Sequence, residues 1–442
     1  MLTFKGNFMK RNILLSVATA FTLLFSTNFA IVSADATTVK VSTVKIQNDT
    51  EHYFTSNGIE VVLKKIKTND VIGLKLFIKG GSRNINEKNA GIEPLLLNLM
   101  LQGSKEFPKD KMNMELAKIG AQIENESFFD YSAFSLKSLN KYFDKAFNIF
   151  QSLIIQPLLE QSEVDLEKSK TLAEIKHNID DPDEYIWSIV NKTFSAGHPY
   201  FNNFQGELNT IPNITRQDLV NYLKTNLTGS KLLLVIAGNY KDGIKKDIEK
   251  YFGKIPKGNN KNTPISSLKV NKSTLTVVDR DIPTAYVAAR FTAPNIKNKD
   301  YPATYLGLRI LSEKFHETIR TKHGLSYAVS AGSSLREANS GYLYVTTVKP
   351  KESVQLMYQE IDNLKKNLID KKYLNGVRNL YYTEYFMKIE PNLSLANTLG
   401  VNQLQSGDYN NSYKLIEKFR KVTPEEIRDA MKRRLLILPF CQ

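Results

Sequence analysis

Two stretches of this chain read as copies of one another: ITRQDLVNYLK at 214–224 and VTPEEIRDAMK at 422–432. Each offers a Thr as N-cap, an acidic residue in the first helical turn and apolar residues in step. The first copy runs on into KLLLVIA at 231–237, an unbroken apolar stretch that reads as a buried strand. The second runs into RRLLILPFCQ, where Pro439 stands at the strand position without an N–H to give to a ladder. An internal repeat of this size limits the fold to two related units. The second is expected to end in an altered or truncated strand.

The rest of the chain fills out that frame. A hairpin is expected where Tyr53-Phe54 and Val61–Leu63 flank Asn57-Gly58, and a strand over Val71–Lys79. Helical periodicity covers 89–102, 109–119, 141–155, 162–179 and 183–195, with Gly120 placed as a C-terminal cap. Strands are expected near 121–125 and 131–136. In the second half, strands are expected at 273–278, 285–291, 327–331 and 341–347, with helix over 301–321 and from 352 onward. The Lys-, Asn-, Gly- and Pro-rich run 254–264 is the linker candidate. The expected fold is α+β: homologous domains over 35–262 and 263–442, each a mostly antiparallel sheet covered by helices.

The first residues bear on location. Lys10 and Arg11 precede an apolar stretch from Ile13 to Val32, and Val32-Ser33-Ala34 supplies small residues before a polar chain. This is the layout of a secretory signal cleaved after Ala34, with Met1 or Met9 as the start. The competing reading is a membrane anchor. Cleavage leaves 408 of the 442 residues, and loss of Lys5, Lys10 and Arg11 takes the net charge from +15 to +12. No second spanning run follows, so the mature chain is expected in the periplasm or outside the cell, away from nucleic acid. The only Cys, Cys441, can form no disulfide within the chain.

Four places carry chemistry. They are NAGIEPLLLNLMLQGS at 89–104, the pair Glu167 and Glu174 seven residues apart, His198-Pro199-Tyr200 after Asp181-Pro182, and IRTKHGLSYAVSAG at 319–332. Together they resemble the pitrilysin/insulinase family of zinc peptidases, in its short processing-peptidase branch. The resemblance implies a clamshell of two domains and an inverted H-x-x-E-H zinc motif. It places the motif at Pro94, Leu97 and Asn98, so the first His, the catalytic Glu and the second His are all replaced. Glu174, 76 residues after Asn98, stands alone at the third ligand's position. One carboxylate does not hold zinc, and no metal is expected in this chain. Glu93 lies one step off that register.

Arg320 and Tyr327 are what the resemblance leaves. In the family this pair faces the zinc from the second domain and holds the substrate backbone, donor chemistry suited to a carbonyl gaining charge. The chain is therefore expected to be a non-catalytic, substrate-binding subunit for peptides, working with a homologous zinc-bearing partner. Two alternatives stay open: a self-sufficient peptidase using Glu174 and His177, which as Glu-x-x-His share a helix side, and a clamshell binding protein without proteolytic role. From residue type alone, Glu167 and Glu174 read as a solvated helix face, Arg320 as a surface residue and Tyr327 as a core aromatic. LLLNLML at 95–101 reads as core or as a face for a partner chain, and His52, His316 and His323 stand isolated.

Overall fold

The computed structural model describes residues 50–259, 264–270 and 273–435. The signal segment, part of the linker, Pro439 and Cys441 lie outside them. The first half runs β1 (Thr50–Phe54), β2 (Glu60–Lys65), β3 (Val71–Lys79), α1 (Ile92–Met100), α2 (Lys109–Ile119), β4 (Gln122–Ser127) and β5 (Tyr131–Leu139). It continues through α3 (Phe143–Ile155), α4 (Gln161–Asp180), α5 (Pro182–Phe194), α6 (Arg216–Asn226), β6 (Leu232–Gly238) and α7 (Ile244–Phe252). The second half runs β7 (Ala285–Thr292), α8 (Tyr301–Phe315), β8 (Val329–Ser333), β9 (Ser340–Thr347) and α9 (Pro350–Lys366). It ends with α10 (Lys371–Ile389), α11 (Asn392–Ser406), α12 (Asn411–Lys421) and α13 (Pro424–Arg434).

Local chemistry explains most boundaries. Asn57 turns the first hairpin and ties it down: its Nδ2 donates to the carbonyls of Phe252 and Ile255, both at 2.8 Å. Gly120 ends α2 in the left-handed region at φ 61°, as its position predicts. Both repeat copies carry a reciprocal cap. Thr215 N donates to Asp218 Oδ2 at 2.9 Å and Thr423 N to Glu426 Oε2 at 2.8 Å, each Thr hydroxyl accepting in return.

The first sheet has the order β1-β2-β6-β3-β5-β4, antiparallel except where β2 runs parallel to β6. Alternation along β6 sends Leu232, Leu234 and Ile236 toward α1, α3 and α6, and Leu233, Val235 and Ala237 to the opposite face. That opposite face is covered by α11, from the second half, through Leu395, Ala396, Leu399 and Val401. Two glycines allow the close approach. A Cβ on Gly400 would lie 2.1 Å from the Phe77 ring, and one on Gly73 would lie 2.4 Å from the Leu393 backbone.

The exchange is reciprocal. The second sheet, β7-β9-β8, is antiparallel, and α5 from the first half lies on β7. Trp187 of α5 meets Tyr342 edge-on, with ring centroids 5.6 Å apart, and the Arg290 guanidinium lies 5.3 Å from its ring. In each half a long helix, α4 or α10, breaks at a proline, Pro182 or Pro391, before the crossing helix. At Pro182 the preceding residue, Asp181, is extended at ψ 116°, as proline's steric demand dictates; at Pro391 the preceding Glu390 stays helical and Pro391 itself, at ψ 130°, leaves the helix.

Three expectations differ. Residues 273–278 form no ladder among the described residues; they lie extended and exposed, Val277 at 75%. In the first half, β2 is held by β6, the strand after α6; the counterpart after α13 falls beyond Leu435, outside the described residues. The helix expected over 301–321 is α-helical only to Phe315, then widens into a π-helix over His316–Lys322. The strand expected from Tyr327 starts at Val329, which leaves Tyr327 outside the sheet.

Candidate functional site

Helix α1 carries the three motif positions. Leu95, Leu96, Leu97 and Leu99 are each 3% exposed or less and join the first-half core, so the apolar run is core. Pro94 and Asn98, one turn apart, share the half-buried side. Asn98 Nδ2 donates to Glu167 Oε1 at 2.8 Å, and Asn98 Oδ1 accepts from Asn125 Nδ2 at 3.0 Å. Lys170 holds the other Glu167 oxygen at 3.2 Å.

Glu167 is therefore buried, at 8% exposure, and not on a solvated face as residue type suggested. Glu174, two turns on, is exposed, as is His177. Of the two α4 carboxylates, Glu167 is the one that meets Asn98. A carboxamide, a proline and a leucine do not fit zinc: of the three only the amide oxygen is a donor, and Asn125 already occupies it. Among the described residues no group of three or more His, Cys, Asp or Glu is placed to hold a metal ion.

The second half brings Arg320 and Tyr327 together. Gly324, at φ 63°, turns the chain back after the π-helix; its N–H donates to Arg320 O at 3.0 Å, and Leu325 N donates to Ile319 O at 2.9 Å. Leu325 is buried at 8% exposure and anchors the turn, so the chain emerges with Tyr327 outermost, 90% exposed. Arg320 Nη1 donates to Tyr327 O at 3.4 Å. The Arg-x-x-x-Gly-Leu-x-Tyr spacing thus has a local cause: a glycine stop, an apolar anchor and two donors left in solvent. The alternative that Tyr327 is a core strand aromatic does not hold.

Sequence reasoning gave His316 no role, yet Arg320 Nη1 also lies 3.2 Å from His316 Nε2. Partial burial, with the Arg320 charge second, holds the His316 imidazole below its ordinary range. The i, i+4 spacing was the available signal. Glu93 was also passed over: it is 4% exposed and accepts from the hydroxyls of Ser132 and Tyr222. His198 is structural, as expected: Nδ1 accepts from Tyr200 N at 3.1 Å and Nε2 meets Ser266 O at 2.9 Å.

Two lobes of related build, a helix whose Pro94, Leu97 and Asn98 do not fit zinc, and an exposed Arg–Tyr pair define a peptidase-type clamshell. Comparison with known proteins agrees. The family described as Insulinase (Peptidase family M16) matches residues 60–206, and the one described as Peptidase M16 inactive domain matches 213–381. The chain belongs to the M16, or insulinase, peptidase family.

An uncharacterized zinc protease, YmxG, of Bacillus subtilis is 21% identical over 85% of this chain and 93% of its own length. The mitochondrial-processing peptidase subunit beta of Saccharomyces cerevisiae is 21% identical over 84% of this chain and 85% of its own. A crystal structure described as a peptidase M16 inactive domain, from Pseudomonas fluorescens, superposes with a TM-score of 0.82 at 18% identity. It covers 88% of this chain and 96% of that one. The inactive-domain matches fit a non-catalytic member of the family. Among the described residues no helix is long and apolar enough to cross a membrane.

Proposed function

We propose that this chain is the substrate-binding subunit of a heteromeric zinc peptidase, exported from the cytoplasm, and that a homologous partner supplies the zinc. The observation that carries the reading is the asymmetry between the halves. The first has exchanged its metal-binding side chains for an Asn98–Glu167–Asn125 network. The second keeps Arg320 and Tyr327 side by side and exposed, two donors open to a ligand. A guanidinium and a phenol supply donors but no nucleophile and no general base at neutral pH. Such a pair can hold a peptide carbonyl and cannot hydrolyse it. The subunit named in the yeast relative supports an assembly of this kind.

The test is reconstitution. Purified mature chain alone is expected to cleave no peptide and to carry no stoichiometric zinc. Mixed with an M16 chain from the same cell that holds an intact zinc motif, it is expected to raise cleavage. Zinc bound tightly and lost on Glu174→Ala would instead favour the self-sufficient peptidase. A mature protein beginning at Asp35, found by N-terminal sequencing of the exported fraction, would support export.

A further inference from the structure

Between α1 and α6, a cavity of about 760 Å3 opens beside the N-terminal end of α1. It lies on the flank away from the motif face, since Ile92, which lines it, is about 200° around the helix from Pro94. The volume is that of a small-molecule site, but the lining is unusually polar: five asparagines, Thr225, Tyr222 and three cations, with Ile92 and Ile214 the only aliphatics.

Lys231 is the telling residue. It is 7% exposed and lines the cavity, yet among the described residues its ammonium donates only to the neutral Asn226 Oδ1, at 2.6 Å. Among the described residues no carboxylate lies within ion-pair distance of it. Buried cations are ordinarily paired. Glu93, the acid whose charge acts on it, is enclosed by the Ser132 and Tyr222 hydroxyls, and burial pushes its carboxyl up. Burial also pushes the Lys231 ammonium down, while Glu93 pulls it the other way. Of the other charges, Asp218 is engaged in capping Thr215, Arg83 is paired with Glu337 and Asp130, and Lys88 is exposed at the rim. The cavity thus presents, among the described residues, an inner ammonium with no carboxylate in ion-pair contact, surrounded by carboxamides that both donate and accept.

We propose that this cavity binds a small, hydroxyl-bearing anion of the sugar-acid class, its acidic group on Lys231 and its hydroxyls on carboxamides such as Asn221 and Asn89. The site is separate from the Arg320–Tyr327 pair and does not rest on the proposed function. The experiment is calorimetric titration of the full mature chain with D-glucuronate at low salt, beside glucose, which lacks the charge, and acetate, which lacks the hydroxyls. Saturable binding of glucuronate is expected, with glucose and acetate each roughly tenfold weaker or more, as loss of one charge-assisted contact implies. Lys231→Met is expected to abolish binding. Asn221→Ala and Asn89→Ala, nearer the surface, are expected to weaken it severalfold, and they carry the test if Lys231→Met fails to fold by thermal melt. No saturable glucuronate binding, equal binding of acetate, or glucuronate binding unchanged in folded variants would overturn the proposal.

Discussion

Asn98 Nδ2 donates to Glu167 Oε1 at 2.8 Å, across the gap between the motif helix α1 and α4. It is a structural bond between a neutral amide and a buried carboxylate, at a position the sequence resemblance assigns to the zinc motif. Removing the amide leaves Glu167 with Lys170 alone.

Asn98→Ala is therefore expected to destabilise the fold by about 1–3 kcal/mol, the range for stripping a partner from a buried charged group. Glu174→Ala, on the exposed turn, should change stability by less than about 0.5 kcal/mol. Urea unfolding of both variants checks the contrast. Equal effects would mean that Glu174 is as engaged as Glu167.

Restoring the motif with Pro94→His, Leu97→Glu and Asn98→His is expected to give weak zinc binding at best and a lower melting temperature. Leu97 is 1% exposed, so a glutamate there enters apolar core. A histidine at 98 would meet the partners that now hold the Asn98 amide, Glu167 and Asn125, which are set for a carboxamide. Elemental analysis and a thermal melt read the two effects. A stable variant with one tightly held zinc per chain would show the core more tolerant than its packing indicates.

The seam between the halves depends on the close approach at Gly400 and Gly73, and an exposed glycine outside it gives the contrast. Gly400→Ala puts a methyl into the Phe77 ring, with a separation of 2.1 Å before relaxation, and should cost about 1–3 kcal/mol. Gly376→Ala, in exposed α10 with nothing within 4 Å, should stabilise by about 0.4–1 kcal/mol. Melts of the two variants should move in opposite directions.

Glu93 gives a pH dependence. Its folded-state carboxyl titrates above the unfolded value, chiefly through burial. Its contribution is then fully present below about pH 4.3 and is lost as pH rises toward the folded value. Glu93→Gln removes that dependence. The stability of the variant relative to the parent should rise between pH 4 and pH 8, as read from urea melts at both. A flat difference would mean that Glu93 titrates alike in both states.

The sequence showed the strands of the first sheet, most helices and both Thr caps, because each rests on local chemistry: alternation, glycine stops, a hydroxyl three residues before an acid; it did not show α7 or the parallel pairing of β2 with β6. It did not show that α5 and α11 cross between halves. Nothing in the local pattern of Leu395 or Trp187 says which sheet it will cover. It exposed one repeat, at Thr215 and Thr423, but not the matching breaks at Pro182 and Pro391, whose flanking sequences share little beyond the proline. At the site, Arg320 and Tyr327 were legible through Gly324 and Leu325. Glu167 was not, because its burial follows from where α4 meets α1. The unladdered 273–278 segment shows the limit of periodicity, since Leu275 and Val277 alternate without a neighbouring strand.

The central claim is that Arg320 and Tyr327 serve a partner's active site. The direct measurement is peptide cleavage by the reconstituted complex with Arg320→Ala or Tyr327→Phe, beside a melt and an assembly assay. Each variant should fold and assemble normally while turnover falls by roughly ten- to a thousandfold, with some activity left because the donors act on the transition state without attacking it. Arg320→Lys should rescue only in part, since an ammonium lacks the planar fork. Cleavage unchanged in both variants of an assembled complex would contradict the account and leave the chain a clamshell without a role in proteolysis.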